Sequence, residues 1–182
     1  MFYKIVRFVC IIATKIFFRP KFIGLDNIPK DGSFIFASNH TSMFDPVPII
    51  CISKRRVHFL AKKELFKFPQ SIIFSHLELI PVKRDNNDKE ALNTAINYLK
   101  NGSIVGIYPE GTRERGRGLL DFKYGTIKMA KETDCPIIPV GISGSYNIFK
   151  NDLCFKFESP IYIKDVNKFE NEKVKRIIKK MI

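Results

Sequence analysis

Several residue types are scarce in this 182-residue sequence, and each scarcity excludes a class of protein. There is no tryptophan, and the four cysteines (Cys10, Cys51, Cys135 and Cys154) are too far apart to form a CxxC pair. Metal and redox motifs built on paired cysteines are therefore excluded, and isolated thiols in a Lys-rich chain are typical of a reducing, cytosolic environment. Acidic residues are also few: 18 Asp and Glu stand against 31 Lys and Arg, a formal net charge of +13. Such a chain is expected to meet nucleic acid, an acidic membrane surface or a phosphorylated ligand.

The apolar run at the start of the chain is too short and too interrupted to cross a bilayer. Residues 2–18 are strongly apolar but contain Lys4, Arg7 and Lys15. As a helix they span about 25 Å, less than the ~30 Å hydrocarbon core, and each central cation adds about 2.5–3.5 kcal/mol to the cost of insertion. A secretory signal is also disfavoured, because Lys15 divides the run and no small-residue cleavage site follows.

The same run predicts an amphipathic helix. At about 100° per residue, Lys4, Arg7, Thr14 and Lys15 fall on one side and the apolar residues on the other. A narrow basic stripe on a broad apolar surface is typical of a helix in the membrane interface, and the alternative is a terminal helix packed on the core. We predict a membrane-associating helix over residues 1–22, a globular domain over residues 23–182, and a peripheral or monotopic location on the cytoplasmic face of the cell membrane.

Hydrophobic periodicity predicts alternating strands and helices in the rest of the chain. Strands are expected at 33–38, 57–61, 79–82, 103–108, 136–141, 153–157 and 161–163. Helices are expected from 45 onward and at 63–75, 88–101, 123–133 and 174–181, with a loop at 24–32. This alternation, without internal repeats or a dividing linker, predicts a single α/β domain.

Residues 39–46, Asn-His-Thr-Ser-Met-Phe-Asp-Pro, follow a predicted buried strand, the position where α/β sheets bind ligands. Asp45 lies one tight turn after His40. A carboxylate bonded to one imidazole nitrogen makes the other nitrogen a better base, which could take a proton from a hydroxyl group. Taken alone, this short pattern is more typical of a helix N-cap at Asp45 beside an ordinary loop histidine.

Residues 108–113, Tyr-Pro-Glu-Gly-Thr-Arg, follow another predicted strand. Backbone N–H groups in a glycine turn, together with an arginine fork, can hold a phosphate group. The alternative is a solvated loop, because Arg115 and Arg117 make the segment rich in arginine.

Together with three further segments, these motifs resemble the glycerophospholipid acyltransferases, in particular the 1-acyl-glycerol-3-phosphate (lysophosphatidate) acyltransferases. The further segments are 59–66 (Phe-Leu-Ala-Lys-Lys-Glu-Leu-Phe), 122–125 (Phe-Lys-Tyr-Gly) and 136–140 (Pro-Ile-Ile-Pro-Val). All five occur in the family's order over about residues 24–144. NHxSxxDP and PEGTR are specific, and their joint occurrence outweighs the alternatives given for each alone. The resemblance implies a mixed, mainly parallel β-sheet flanked by helices, the glycerolphosphate acyltransferase-like fold.

The resemblance also implies a reaction. A fatty acyl group would pass from an acyl thioester, either acyl-CoA or acyl-carrier protein, to the free hydroxyl of a lysophospholipid acceptor. With 1-acyl-glycerol-3-phosphate the product is phosphatidic acid, a step in phospholipid biosynthesis. His40 would be the general base, oriented by Asp45, and no cofactor or metal is required because the thioester is already activated. The implied substrate-binding residues are Lys62, Arg84, Glu110, Gly111, Thr112 and Arg113.

Within that set, Arg113 is expected on the acceptor phosphate, and Arg84 shares its assignment with Lys83. Three other functions stay open. The acceptor could be glycerol-3-phosphate or another lysophospholipid, or the chain could be a non-catalytic basic membrane-binding protein for which His40 is expendable. Nucleic-acid binding is disfavoured, because the basic residues are dispersed without an aromatic-interleaved motif and anionic lipid is a sufficient explanation for the charge.

The remaining candidate side chains are expected to have structural roles. Thr41 and Ser42 are predicted to hydrogen-bond within their turn rather than act as nucleophiles. Cys51 lies in an apolar helix and is predicted to be a core thiol. His58 and His76 lack partners at metal-ligand spacing, so no zinc site is expected.

Overall fold

The structure of the chain is a computed structural model, and it describes residues 2–66, 77–83, 88–114, 116 and 118–182. The helices are α1 (Phe2–Ala13), α2 (Pro46–Ile52), α3 (Lys89–Lys100), α4 (Gly125–Thr133) and α5 (Lys168–Met181). The strands are β1 (Lys21–Ile23), β2 (Phe34–Ser38), β3 (Val57–Lys62), β4 (Ile80–Val82), β5 (Ile104–Ile107), β6 (Ile137–Ser143) and β7 (Cys154–Phe157). A π-helical turn at Thr14–Phe18 continues α1, and 3₁₀ turns form at Leu25–Asn27 and Lys63–Phe66.

The described strands form one seven-stranded sheet in the order β1-β7-β6-β2-β5-β3-β4. Strands β6, β2, β5, β3 and β4 are parallel to their neighbours in this series. Strand β7 runs antiparallel to β6, and β1 pairs with β7 in parallel, so the two strands at this edge run against the rest. The predicted single α/β domain with a mixed, mainly parallel sheet is confirmed.

Both faces of the sheet are covered, as expected for parallel strands. Strand β2 shows this directly, because it lies in the middle of the sheet and all five of its residues are buried. Phe34 and Phe36 pack with α2 on one face, while Ile35 and Ala37 pack with α3, α4 and α5 on the other. The short apolar run therefore forms a strand because each side of it meets a helical layer.

Helix α1 lies on the α2 side of the sheet and is held there by a polar contact. The Arg7 guanidinium donates hydrogen bonds to the carbonyl oxygens of Ile50 (3.1 Å), Cys51 (2.7 Å) and Ser53 (3.1 Å), at the carboxyl end of α2. These are the carbonyls that a helix end leaves without internal partners. The predicted basic stripe is thus divided: Arg7 and buried Thr14 face the domain, and Lys4 and Lys15 face outward.

The opposite side of this helical segment is apolar and exposed. Six large side chains on it are 44–63% exposed: Ile5, Phe8, Val9, Ile12, Ile16 and Phe17. In the described parts of the chain, every helix is too short or too polar to cross a membrane.

Three elements differ from the sequence-based expectations. Strand β1 was not predicted, because a three-residue edge strand has too little periodicity to be recognised. Segment 161–163 is not a strand; Ile161 forms an isolated bridge to Ile137 through two 2.8 Å hydrogen bonds. Helix α5 begins six residues before the predicted start, since the Asn167 side chain caps it by accepting the Glu170 N–H (2.9 Å). Most of the helix predicted at 63–75 lies outside the described residues.

Candidate active site

The two sequence motifs meet at the carboxyl ends of the parallel strands. Strand β2 leads into His40 and β5 into Tyr108, and these strands are adjacent. On the other side of β2, β6 leads into the loop that carries Tyr146. Strand β3, next to β5, ends at Lys62. The topology therefore brings four segments that are distant in sequence together at the carboxyl ends of the parallel strands, where such folds usually bind ligands.

His40 and Asp45 form the predicted hydrogen-bonded pair. The His40 Nδ1–H donates to Asp45 Oδ2 at 2.8 Å, which leaves Nε2 with a free lone pair. The Asp45 side chain is fully buried, whereas the imidazole is 18% exposed. A buried carboxylate that fixes the tautomer behind a partly accessible imidazole is the arrangement of a general base.

Asp45 also holds the turn that carries His40. Its Oδ2 accepts the backbone N–H groups of Thr41 (2.7 Å) and Ser42 (2.8 Å), and its Oδ1 accepts the Thr41 hydroxyl (3.1 Å). The hydrogen-bonding role expected for Thr41 and Ser42 is thus present. Asp45 does occupy the N-cap position of α2, as the alternative predicted, but its side chain makes no capping hydrogen bond to that helix and bonds to the His40 turn instead.

Asn39, the first residue of the motif, fixes the end of β2 to β6. Its side-chain amide donates to the Ile142 carbonyl (2.8 Å), and its side-chain oxygen accepts the Ile142 N–H (2.7 Å). The buried amide therefore continues the strand pairing by one residue beyond Ser38. His40 is the next residue, so the position of its main chain is fixed by the bonds of Asn39 to Ile142.

The second motif holds His40 from the other side. Glu110 Oε1 accepts the His40 backbone N–H (2.8 Å), and the Glu114 N–H donates to the His40 carbonyl (2.9 Å). The Tyr108 ring stacks on the imidazole with 4.0 Å between ring centroids and 15° between their planes. The two motifs, about 70 residues apart in sequence, thus form one structural unit.

Glu110 is buried, and its second oxygen accepts the Leu120 N–H (2.8 Å). Burial raises the pKa of the Glu110 carboxyl, while the two backbone N–H donors act in the opposite direction. Burial also raises the pKa of Tyr108, with Asp45 adding to the shift, so its phenol is neutral beside the imidazole. The Tyr108 hydroxyl has no hydrogen-bond partner among the described atoms.

Gly111 forms the turn of the second motif. Its φ of +68° is in the left-handed region, and a Cβ there would lie 2.9 Å from Lys123 Cε. The turn therefore favours glycine because of its backbone conformation, and the flexible end of the Lys123 side chain lies against it. Lys123 is a cation at this turn that we did not predict, although it lies in the 122–125 segment. Thr112 and Arg113 follow and are partly buried.

The other cations predicted near the acceptor phosphate lie at the end of β3 and just after β4. Lys62 is half-exposed and pairs with Glu64 at 3.0 Å. Strand β4 ends beside β3 at Val82, and Lys83 follows it with its backbone N–H bonded to Asp88 Oδ2 (2.6 Å). Arg84, Arg115, Arg117 and His76 lie outside the described residues.

Two further side chains are placed as structural residues. His58 is buried in β3, its ring stacks on Tyr98 at 3.8 Å, and its Nδ1–H donates to the Glu78 carbonyl (3.0 Å). Cys51 is half-buried against the Thr14 hydroxyl (3.9 Å), and burial raises the pKa of its thiol.

Fold and site together define a class of protein: an α/β domain that presents a histidine–carboxylate pair able to accept a proton from a bound hydroxyl group. Residues 19–143 match the protein family described as Acyltransferase. The chain therefore belongs to the acyltransferase family.

Named relatives and a solved structure agree with this family. The chain is 32% identical over 170 residues to a 1-acyl-sn-glycerol-3-phosphate acyltransferase of Borreliella burgdorferi, covering 87% of this chain and 68% of the relative. It is 34% identical over 128 residues to the Bacillus subtilis protein of the same name, covering 68% and 62%. The crystal structure of the 1-acyl-sn-glycerophosphate (LPA) acyltransferase PlsC from Thermotoga maritima superposes with a TM-score of 0.77 at 28% identity, covering 98% of this chain and 78% of that one.

Proposed function

We propose that this chain transfers a fatty acyl group from an acyl thioester to the free hydroxyl of 1-acyl-glycerol-3-phosphate and so forms phosphatidic acid. The names of the relatives support the substrate. The observation that carries the reaction type is the His40–Asp45 pair, with 2.8 Å between Nδ1 and Oδ2 and with two further hydrogen bonds to the His40 backbone. Of the two bonds to the His40 backbone, one comes from Glu110 of PEGTR and the other from Glu114, which directly follows that segment, so Nε2 is presented in one fixed direction.

The proposed chemistry needs one base and a bound acceptor. His40 Nε2 takes the proton of the acceptor hydroxyl while that oxygen attacks the thioester carbonyl. The buried Asp45 carboxylate stabilises the imidazolium that results, and the imidazolium then returns the proton to the leaving thiolate. General-base assistance of this kind contributes about 10²–10⁴-fold to the rate.

We propose that the acceptor phosphate lies on the β3 side of His40. Arg113 follows the glycine turn after β5, and its guanidinium can bind two phosphate oxygens at once. Lys62 ends β3, two strand spacings or roughly 10 Å along the sheet edge from β2. Arg84, or its neighbour Lys83, follows β4 one strand further. The described members of this set, Arg113, Lys62 and Lys83, follow β5, β3 and β4 and would form a cationic flank on one side of His40.

The donor is either acyl-CoA or acyl-carrier protein. Both are anionic, and the net charge of +13 favours association with either. A rate comparison with the two donors at equal acyl chain length distinguishes them.

We further propose that the protein is peripheral or monotopic, held on an anionic membrane by α1. The exposed apolar stripe on α1 would be buried in the bilayer interface, with Lys4 and Lys15 near the lipid phosphates. Basic residues near such a surface contribute about 1 kcal/mol each. The lipid acceptor would then reach the site from the membrane that holds the protein.

The test is an acyltransfer assay on the purified chain with both donors and three acceptors: lysophosphatidate, glycerol-3-phosphate and lysophosphatidylcholine. We expect lysophosphatidate to be the preferred acceptor. His40→Ala should lower kcat/KM by about 100-fold or more, since the base is lost. His58→Gln is the matched control, because it removes a histidine of the same sheet outside the site, and it should keep wild-type activity at pH 7.5.

The base assignment is wrong if His40→Ala retains a tenth of the wild-type kcat/KM while circular dichroism shows a folded protein. If glycerol-3-phosphate is the preferred acceptor, the proposed acceptor is wrong and the chain acylates glycerol-3-phosphate instead. Vesicle binding without acyl transfer by the wild-type chain would leave the non-catalytic membrane-binding protein as the better description.

A further inference from the structure

Asp45 receives a hydrogen bond that its own motif does not supply. The Tyr146 hydroxyl donates to Asp45 Oδ1 at 2.9 Å, from 101 residues further along the chain. The remaining donors to this carboxylate belong to His40, Thr41 and Ser42. Tyr146 is therefore the contact that ties the first motif to the loop after β6.

The loop that carries Tyr146 is held in place before it reaches the carboxylate. Gly144 has a φ of +82°, and a Cβ there would overlap the Asp152 carbonyl oxygen, so the turn requires glycine. Asp152 Oδ1 then accepts both the backbone N–H (3.0 Å) and the hydroxyl (3.0 Å) of Ser145. These contacts all lie between residues 144 and 152 and hold the loop that carries Tyr146 at the end of β6.

The Tyr146 ring is packed as well as bonded. Phe18 meets it edge-on with 5.3 Å between ring centroids, and Phe44 lies 6.0 Å from it. Phe18 ends the helical segment that begins with α1, and Phe44 precedes Asp45. Such aromatic contacts favour one ring orientation. Burial, followed by the nearby Asp45 charge, raises the pKa of Tyr146, so its hydroxyl stays protonated and remains a donor at physiological pH.

We propose that Tyr146 is a positioning residue for the acyl transfer: its hydroxyl fixes the rotation of the Asp45 carboxylate so that Oδ2 is presented to His40. This inference rests on the proposed function. With Tyr146 and Thr41 on Oδ1, the other oxygen is left for the imidazole and the two backbone N–H groups. Without the phenol, the carboxylate keeps its local donors, and the turn keeps its shape, but Oδ1 loses its outer partner.

Tyr146→Phe tests this, because it removes the hydroxyl and keeps the ring. We expect kcat to fall about tenfold, as for a lost hydrogen bond to a charged group, with less than about twofold change in KM for donor and acceptor. The acid limb of the kcat/KM profile should move to higher pH, because a carboxylate with one donor fewer attracts the imidazole proton more strongly. Tyr162→Phe, which removes an exposed phenol, is the control and should change nothing.

A double-mutant cycle guards against a merely structural effect. Thr41→Val removes the other side-chain donor to Oδ1, so its effect on kcat should be non-additive with that of Tyr146→Phe. Wild-type kcat and pH profile in a folded Tyr146→Phe protein would overturn the proposal, and so would a lowered melting temperature or a raised acceptor KM with kcat unchanged. These measurements compare the wild type with Tyr146→Phe, and both proteins are expected to be active. Failure of the base assignment is a different result, because it requires that His40→Ala stays active.

Discussion

Two buried carboxylates, Asp45 and Glu110, organise the site at the scale of single residues. Each accepts backbone N–H groups: those of Thr41 and Ser42 at Asp45, and those of His40 and Leu120 at Glu110. Hydrogen bonds from backbone N–H groups to a charged acceptor are strong and have fixed geometry. The main chain of two loops thus anchors both carboxylates, and Tyr146 adds a side-chain donor to Asp45.

Arg113→Ala should raise the KM for lysophosphatidate. Loss of a charge-assisted contact at a partly buried site costs about 1.5–3 kcal/mol, or roughly 10- to 150-fold. Arg113→Lys should restore little, because a point charge cannot bind two oxygens as a fork does. Steady-state kinetics with both substrates varied would measure this. An increase confined to the donor KM would place Arg113 on the thioester side of the site instead.

His58 makes stability depend on pH. Burial, reinforced by the nearby Arg56 charge, lowers the pKa of His58 to about 4, although the Glu78 carboxylate lies 3.8 Å away. The unfolded chain therefore binds more protons than the folded one between about pH 4 and 6.5, and stability is lost as pH falls through that range. The loss reaches up to about 3 kcal/mol.

Urea unfolding at pH 7.5 and pH 4.5 measures this contribution. His58→Gln keeps a donor for the Glu78 carbonyl but does not titrate, so its free energy of unfolding should fall less than that of the wild type over the same interval. Equal losses in the two proteins would show that His58 is readily protonated in the folded state.

At the scale of elements, the close approach of β3 and β5 supports the site. Gly106 of β5 lies opposite Phe59 of β3, and the Phe59 ring covers the position that a Cβ would occupy. The same ring lies 5.8 Å from Tyr108, which stacks on His40. A side chain at position 106 would therefore displace the Phe59 and Tyr108 rings, which are stacked in series against the His40 imidazole.

Gly106→Ala should destabilise the protein by about 1–3 kcal/mol, the usual cost of overpacking. Thermal or urea unfolding measures the loss, and adding Phe59→Leu should recover part of it by giving the methyl group room. Gly125→Ala is the control, since nothing lies within 4 Å of a Cβ there and its φ is not positive. If Gly106→Ala were as stable as the wild type, the two strands would be less rigidly spaced than the structure indicates.

At the scale of the whole molecule, the two faces of the sheet are covered unequally. Helices α3, α4 and α5 bury one face, while α1 and α2 lie over the other. The outer side of α1 is left apolar, and the motif residues Met43 and Phe44 nearby are 59% and 48% exposed. The Phe18 ring, 6.2 Å from Phe44, joins this helix to the site. A membrane on this side would cover the apolar surface and lie next to the motif that carries the partly exposed His40.

Replacing Ile12 and Ile16 together by Gln should weaken co-sedimentation with anionic vesicles by about tenfold or more. Both side chains are exposed in the protein, and full burial of each in the membrane interface would be worth about 1.5–3 kcal/mol. The fold should persist, because Arg7 and Thr14 still hold the helix to the domain. The matched control replaces Val166 and Phe169, which are 45% and 71% exposed at the start of α5 on the opposite layer. Equal vesicle binding by both double variants would contradict the assignment of α1 as the membrane-facing helix.

Local sequence predicted most of the architecture, and the resemblance of its motifs to a known family implied the pairing of His40 with Asp45. Alternating apolar runs predicted β2 through β7 to within a few residues, because each strand between helical layers must be apolar over a short length. The contact can form because the two residues lie in one tight turn, five positions apart. The residues of the PEGTR segment likewise predicted a part of the same candidate site, and in the structure Glu110 of this segment bonds to the His40 backbone.

Tertiary structure alone decided which residues from distant parts of the sequence contact the His40 motif. The Tyr146 contact and the bond from His40 to Glu110 join residues 101 and 70 positions apart, and no local pattern encodes a partner at such a distance. The same holds for Arg7, which was predicted to share one basic stripe with Lys4 and Lys15 but whose guanidinium donates to carbonyl oxygens at the carboxyl end of α2. Sequence specified which groups can donate and accept, whereas the strand order β6-β2-β5-β3 determined which of them meet, because neighbouring parallel strands deliver their carboxyl ends to a single edge.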